Sequence, residues 1–166
     1  MPMAIGIRQA TSADAAGIAG LLPQLGYLAT APEVLARLRY WAADQRSSVI
    51  VADLDGAVAG VAAVHAIPLL ERTGWRGRLV ALVVDEACRR LGIASMLMAA
   101  AEEEARLLGC VEMEITSARD RSAAHAFYVA AGYADACGRA ARYLKVLAGQ
   151  EGGVTSGHGQ AWPGPR

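Results

Sequence analysis

One stretch limits what this chain can fold into more than any other: Leu79 to Gly109, L-V-A-L-V-V-D-E-A-C-R-R-L-G-I-A-S-M-L-M-A-A-A-E-E-E-A-R-L-L-G. It opens on a continuous apolar run, Leu79 to Val84, short and rich in β-branched residues, as a buried strand requires. A polar turn follows from Asp85 to Arg90. Beyond it Ile93, Leu97, Ala100, Ala101 and Leu108 recur at helical spacing. Glu102 and Arg106 form an i,i+4 pair on the opposite face, and Gly109 stands where a C′ residue closes a helix.

The junction between strand and helix, Arg89-Arg90-Leu91-Gly92-Ile93-Ala94-Ser95, suits an anion. The first N–H groups of a helix have no intrahelical acceptor, and the macrodipole adds partial positive charge there. Gly92 removes a Cβ that would hold a phosphate away from the backbone, and Ala94 is nearly as small. A diphosphate would be held mainly by main-chain donors, with two arginines beside it. An ordinary strand-to-helix connection also uses a small residue to ease its turn, so this segment alone leaves both readings open.

Around this unit, 166 residues suffice for one domain with its own core. The formal net charge is zero, so no global field recruits nucleic acid or an anionic membrane. Cys88, Cys110 and Cys137 have neither paired nor metal-ligand spacing, which points to reduced thiols in a cytoplasmic protein without a bound metal. The first residues, Met1-Pro2-Met3-Ala4, lack the charged and apolar regions of a leader, and no apolar run reaches a membrane span of roughly eighteen residues.

Ile5 to Gln9 alternates as a first strand. Thr11 or Ser12 caps a helix carrying Ile18, Leu21 and Leu22, which ends or kinks near Pro23. Thr30-Ala31-Pro32-Glu33 starts a second helix presenting Val34, Leu35, Leu38 and Trp41. Ser48 to Leu54 and Ala57 to Ile67 form a hairpin about Asp55-Gly56. Pro68 to Arg78 reads as a loop, with Glu71 and Trp75 placed to edge a substrate mouth. After the central strand and helix, Val111 to Thr116 alternates as a strand. Ser122 caps a short helix ended by Gly132, and Tyr133–Cys137 and Arg142–Leu147 are two last strands. Residues 148–166 hold almost nothing to bury and read as a flexible tail, leaving 1–147 as a single domain.

The order β-α-α-β-β-β-α-β-α-β-β resembles the GNAT-type N-acetyltransferase superfamily over about the first 147 residues. Its Q/R-x-x-G-x-G/A signature is met by Arg89, Gly92 and Ala94. A second signature, A-x-x-F-Y-x-x-x-G-F/Y, is met by Ala124, Phe127, Tyr128, Gly132 and Tyr133. Two motifs in order on the expected elements are far more specific than either alone. The resemblance implies an α/β fold of α+β character, with a mixed sheet of about seven strands and four helices.

It also implies acetyl-CoA as cosubstrate, bound where the central strand and the Val111–Thr116 strand splay apart. The pantetheine arm would pair with Leu82, Val83 and Val84, and the pyrophosphate would sit on the amides of Arg89, Arg90, Leu91, Gly92, Ile93, Ala94 and Ser95. Two departures stand out. Arg121 occupies a position where many relatives place a cofactor-contacting Asn, and Asp85-Glu86 stands where many have a proline. The carboxylates are expected to point away from phosphate.

The implied reaction is attack by a neutral primary amine, from a small molecule, on the thioester. Holding an alkyl amine neutral at pH 7 costs roughly 4–5 kcal/mol, so the site must desolvate it or offer a base. Tyr128 matches the residue that in relatives meets the departing thiolate. A phenol near 10 against a thiol near 8.5 is expected to hydrogen-bond the thiolate rather than surrender its proton. Glu71, His65, Glu112 and Glu114 are candidate bases, each equally readable as a solvated or core-satisfied residue. A main-chain N–H near Val83 or Val84 is the natural donor to the oxyanion. His125 reads as surface, and Tyr27 and Trp41 as core before pocket. Arg119 and Arg121 sit in a loop that is either solvated or near the phosphates.

A non-catalytic acyl-CoA-binding regulatory module on the same fold is the alternative. A nucleotide-binding module is disfavoured by the single short Gly motif and the lack of G-x-x-x-x-G-K-[ST]. The resemblance admits a homodimer, though no residue marks an interface.

Overall fold

The computed structural model describes residues 4–138 and residue 143. Residues 4–115 lie in one compact unit, and residues from 116 onward that are described lie in a second.

The first unit begins with β1 (Ile5–Gln9), whose chain turns through a short 3₁₀ segment, Ser12–Asp14, into α1 (Ala15–Leu21). Thr11 and Asp14 make a capping box about that turn, which places the cap at the first of the two residues the sequence offered. Pro23 falls in a second 3₁₀ turn, Leu22–Leu25, closed by Gly26 in the left-handed region at φ 90°. α2 (Ala31–Ala43) opens on a Thr30/Glu33 capping box with Pro32 in its first turn. β2 (Ser47–Leu54) and β3 (Ala57–Pro68) follow as the expected hairpin. β4 (Trp75–Val84), α3 (Ile93–Leu107) and β5 (Cys110–Ile115) complete the unit.

The five strands form one sheet in the order β1-β2-β3-β4-β5, antiparallel throughout except for the parallel β4–β5 pair. On one face Val51, Val61 and Val83 join Ala15, Ile18, Leu21 and Val34 of α1 and α2 in a buried cluster. On the other lies α3, with Ile93, Leu97, Met98, Ala101 and Ala105 buried. Gly60 on β3 lets α3 approach. A Cβ there would lie 2.9 Å from Leu97 Cδ1 and 3.2 Å from Ile93 Cγ2.

β4 is longer than the apolar run suggested. Trp75 to Arg78 belongs to the strand, not to the preceding loop. Two arginines and a glycine make this half read as polar loop, yet the arginines meet acidic partners on β5. Arg76 Nε lies 2.5 Å from Glu112 Oε1, and Arg78 Nη1 lies 3.0 Å from Glu114 Oε1. A bulge then interrupts β4. Leu79 faces Val64 and Ala81 faces Ala63, which leaves Val80 over and exposed. Pairing with β5 stops at the same point, Leu79 opposite Ile115, so among the described residues β4 runs on to Val84 with only β3 beside it.

The second unit contains α4 (Ser122–Ala130). Arg121, not Ser122, is its cap residue, and Ser122 is the first helical position. Tyr133–Cys137 is not a strand. The Asp135 carboxylate accepts the N–H of Cys137 at 2.8 Å, a local turn that satisfies the backbone without a ladder. Five strands are therefore described against about seven expected. Arg142–Leu147 apart from Tyr143, and all of 148–166, lie outside the described residues.

Candidate cofactor and catalytic site

The turn between β4 and α3 changes character at Arg90. Every amide before it has an acceptor. Asp85 N–H donates to Ala59 O at 2.9 Å, Glu86 N–H to Gln24 Oε1 at 3.1 Å, and Ala87 N–H to Asp85 Oδ1 at 2.9 Å. Cys88 N–H reaches Asp85 O at 2.9 Å and Arg89 N–H reaches Glu86 O at 3.5 Å. The next six amides, Arg90, Leu91, Gly92, Ile93, Ala94 and Ser95, have no acceptor among the described residues; the first intrahelical bond is Met96 N–H to Gly92 O, 3.1 Å.

Arg90 and Gly92 both take left-handed conformations, at φ 64° and 77°. Left-handed residues in such a turn fold consecutive N–H groups into a concave anion site at the positive end of α3. A Cβ built on Gly92 meets nothing within 4 Å, so the space over these donors is open on the protein side. Donor set, helix end and open space fit a diphosphate. The Asp85 carboxylate accepts Ala87 N–H at 2.9 Å and is held within the turn.

The free stretch of β4 offers a second row of main-chain groups. Because Asp85 donates to Ala59, the pairs Val83–Val61 and Ala81–Ala63 are the hydrogen-bonded ones in this antiparallel ladder. The N–H and C=O of Val83 are then occupied by β3. Those of Leu82 and Val84 point to the side that has no neighbouring strand among the described residues. The sequence grouped all three residues; the alternation separates Val83, whose side chain is buried among α1 and α2, from its two neighbours.

In the second unit, Tyr128 packs edge-on against Phe127 and Tyr133, with ring centroids 5.6 and 6.4 Å away. Burial pushes its phenol above the usual 10, while the Arg121 guanidinium pulls the other way. Arg121 caps α4 and is exposed; its carbonyl accepts His125 N–H at 3.1 Å. The His125 ring, read from sequence as surface, bonds Ala118 O through Nε2 at 2.8 Å and so fastens the 117–121 loop to the helix.

Three of the four candidate bases are engaged. Glu112 is paired with both Arg72 and Arg76, which hold its carboxyl below the usual range. Glu114 meets Arg78 at 3.0 Å and Arg76 at 3.5 Å. His65 Nδ1 lies 2.9 Å from Ser47 Oγ and 3.4 Å from Asp44 Oδ2. Glu71 makes no hydrogen bond or ion pair among the described residues. The pairing was readable in principle: Arg76-x-Arg78 and Glu112-x-Glu114 share the period of 2 that puts each pair on one sheet face. Gln24, which ties a distant turn to the anion site, carried no sequence signal.

A mixed sheet whose fourth strand parts from its parallel neighbour thus leads into a glycine-containing turn of amides that have no acceptor among the described residues. The chain belongs to the acetyltransferase (GNAT) family, whose model matches residues 21–133.

Among relatives, it is 38% identical over 79 residues to an aminoalkylphosphonate N-acetyltransferase of Salmonella typhimurium, a match covering 48% of this chain and 51% of that protein. The chain thus matches about half the length of that relative. Among solved structures, a transcriptional regulator from Bacillus halodurans superposes with a TM-score of 0.75 at 23% identity, over 87% of this chain and 99% of the other. The aminoglycoside N-acetyltransferase AAC(6')-Iy in complex with CoA superposes with a TM-score of 0.74 at 20% identity, over 89% and 97%. These two likenesses show the fold. Among the described residues no helix is long and apolar enough to cross a membrane.

Proposed function

We propose that this protein transfers the acetyl group of acetyl-CoA to a primary amine of a small molecule by direct attack. The observation that carries the reading is the run of six unpartnered amides from Arg90 to Ser95 at the head of α3. These donors, with the Arg89 and Arg90 side chains beside them, hold the coenzyme's diphosphate. The outward N–H and C=O groups of Leu82 and Val84 pair with the pantetheine arm as an added strand would. Acetyl-CoA, when bound, supplies an activated acyl carbon.

The attacking amine must be neutral, which costs roughly 4–5 kcal/mol at pH 7 for an unperturbed alkyl amine. With Glu112, Glu114 and His65 engaged, either desolvation selects the amine already neutral, its proton left to bulk water, or Glu71 accepts that proton through a water. The oxyanion of the tetrahedral intermediate takes a main-chain N–H of Leu82 or Val84. Val83, whose N–H bonds β3, is not that donor. Tyr128, its phenol kept protonated by burial, donates a hydrogen bond to the departing thiolate. Arg121 is assigned to the coenzyme's phosphates by its motif position. The relative named for aminoalkylphosphonates supports a small amine as acceptor.

The test is release of free thiol from acetyl-CoA across a panel of small amines that includes aminoalkylphosphonates, alongside calorimetric titration with CoA. Turnover with a small primary amine and a CoA affinity that weakens in Gly92→Ala are expected. CoA binding that is indifferent to Gly92→Ala overturns the site, and hydrolysis without amine transfer overturns the reaction.

A further inference from the structure

Of the two amides of the β4–α3 turn with acceptors outside it, Asp85 N–H stays in the β3 ladder with Ala59 O, whereas Glu86 N–H leaves the sheet. It donates to the side-chain oxygen of Gln24, 62 residues away, at 3.1 Å. Gln24 lies in the Leu22–Leu25 turn, which ends at left-handed Gly26 and is pinned by Gly26 N–H to Pro23 O and Tyr27 N–H to Leu22 O. Immediately after it, Tyr27 and Leu28 are 54% and 65% exposed, although both are large and apolar. The bond therefore joins two irregular turns. One leads into the unpartnered amides of α3, and the other into an uncovered apolar step between α1 and α2.

We propose that Gln24 is a positioning residue that couples these two turns, so that filling the anion site steadies the Gly26–Ala29 segment. The inference rests on the proposed coenzyme site. An anion drawn onto the amides of Arg90–Ser95 restrains the turn that begins at Asp85. Glu86, near the start of that turn, has its N–H directed at Gln24 rather than at the turn itself. Any restraint on Glu86 is passed to the carboxamide it bonds and on to the Leu22–Leu25 turn. The exposed Tyr27 and Leu28, which follow Gly26 directly, then share that restraint. Geometry sets the means of breaking the link from either side. Gln24→Met keeps the length and loses the acceptor, whereas Gln24→Glu keeps an oxygen in place. Glu86 is the first residue of a 3₁₀ turn and follows Asp85 at ψ 131°, so Glu86→Pro removes the donor at a position proline tolerates.

Hydrogen–deuterium exchange of the full chain with and without CoA, the probe used, tests the coupling without knowledge of the acceptor. In the wild type and Gln24→Glu, CoA is expected to slow exchange several-fold both in peptides covering 89–96 and in those covering 22–30. In Gln24→Met and Glu86→Pro the slowing at 89–96 is expected to persist and that at 22–30 to vanish. Slowing at 22–30 that survives in both bond-cutting variants, or that is absent in a wild type slowed at 89–96, overturns the coupling. Loss in Gln24→Glu equal to that in Gln24→Met overturns the role of the acceptor oxygen. A wild type unslowed at 89–96 overturns the coenzyme site itself, a separate result.

Discussion

Gly92 carries two separable demands. Its φ of 77° strains any residue with a Cβ by roughly 1–2 kcal/mol, and the open space above it is where a Cβ would meet a bound diphosphate. Gly92→Ala is therefore expected to raise KM for acetyl-CoA by roughly tenfold or more while changing kcat much less. Steady-state kinetics at saturating amine checks this, and an unchanged KM contradicts the site. Tyr128 makes a different demand. Because burial raises its phenol above the usual value, it stays a donor across the range from about pH 6 to 8. Tyr128→Phe is expected to lower kcat by roughly 10- to 100-fold, by the same factor at each of those pH values. An alkaline fall in wild-type kcat below pH 8 that disappears in Tyr128→Phe would show instead a phenol titrating in the working range.

At the scale of elements, two glycines test what places the anion site. A Cβ on Gly17 of α1 would lie 2.7 Å from Val58 Cβ on β3, while one on Gly60 would press on Leu97 and Ile93 at the start of α3. Both Gly→Ala changes are expected to cost about 1–3 kcal/mol in urea unfolding. Only Gly60→Ala should also raise KM for acetyl-CoA, since it moves the helix whose first amides form the site. Equal KM effects from both would mean that α3 is not held by this contact.

The same contrast explains what could be read from the chain. The Leu79–Gly109 unit was legible because its apolar periodicity, its glycines and its open helix end all act within a few residues. The hairpin at Asp55-Gly56 was legible for the same reason. What escaped reading was set by partners distant in sequence. Trp75–Arg78 reads as loop until Glu112 and Glu114 are known to lie beside it, and the fate of Val83's amide depends on Val61 opposite it. Gln24 is invisible until the fold sets it against Glu86. Tyr133–Cys137 failed in the opposite way: a short local bond from Asp135 outcompeted a weak strand tendency.

Across the whole molecule, the sheet edge farthest from the free stretch of β4 is where acid should act first. Arg8 on β1 places its guanidinium 2.8 Å from Asp14 and 3.0 Å from Asp53, joining β1, the first turn and the end of β2. Asp14 is only 5% exposed and also accepts Thr11 N–H at 2.7 Å. The Arg8 guanidinium leads the causes that lower its carboxyl from 3.8 to about 2. A carboxylate lowered on folding contributes stability that is fully present above its unfolded value. That contribution is lost as the pH falls through the folded one. Stability is therefore expected to be level above about pH 5 and to decline toward pH 2. Asp14 supplies about 1–2 kcal/mol of this, reduced from the full linkage value because Arg8 is 41% exposed. Asp14→Asn keeps an oxygen for the Thr11 cap and removes the charge. It should lower the plateau by that amount and flatten the decline between pH 4 and 2, read from urea midpoints at each pH. Kinetics at pH 7 with acetyl-CoA should be unaffected, because the three linked elements lie at the β1–β2 side of the sheet, away from β4. Parallel stability curves for the two proteins would show that the Arg8 cluster does not govern acid unfolding.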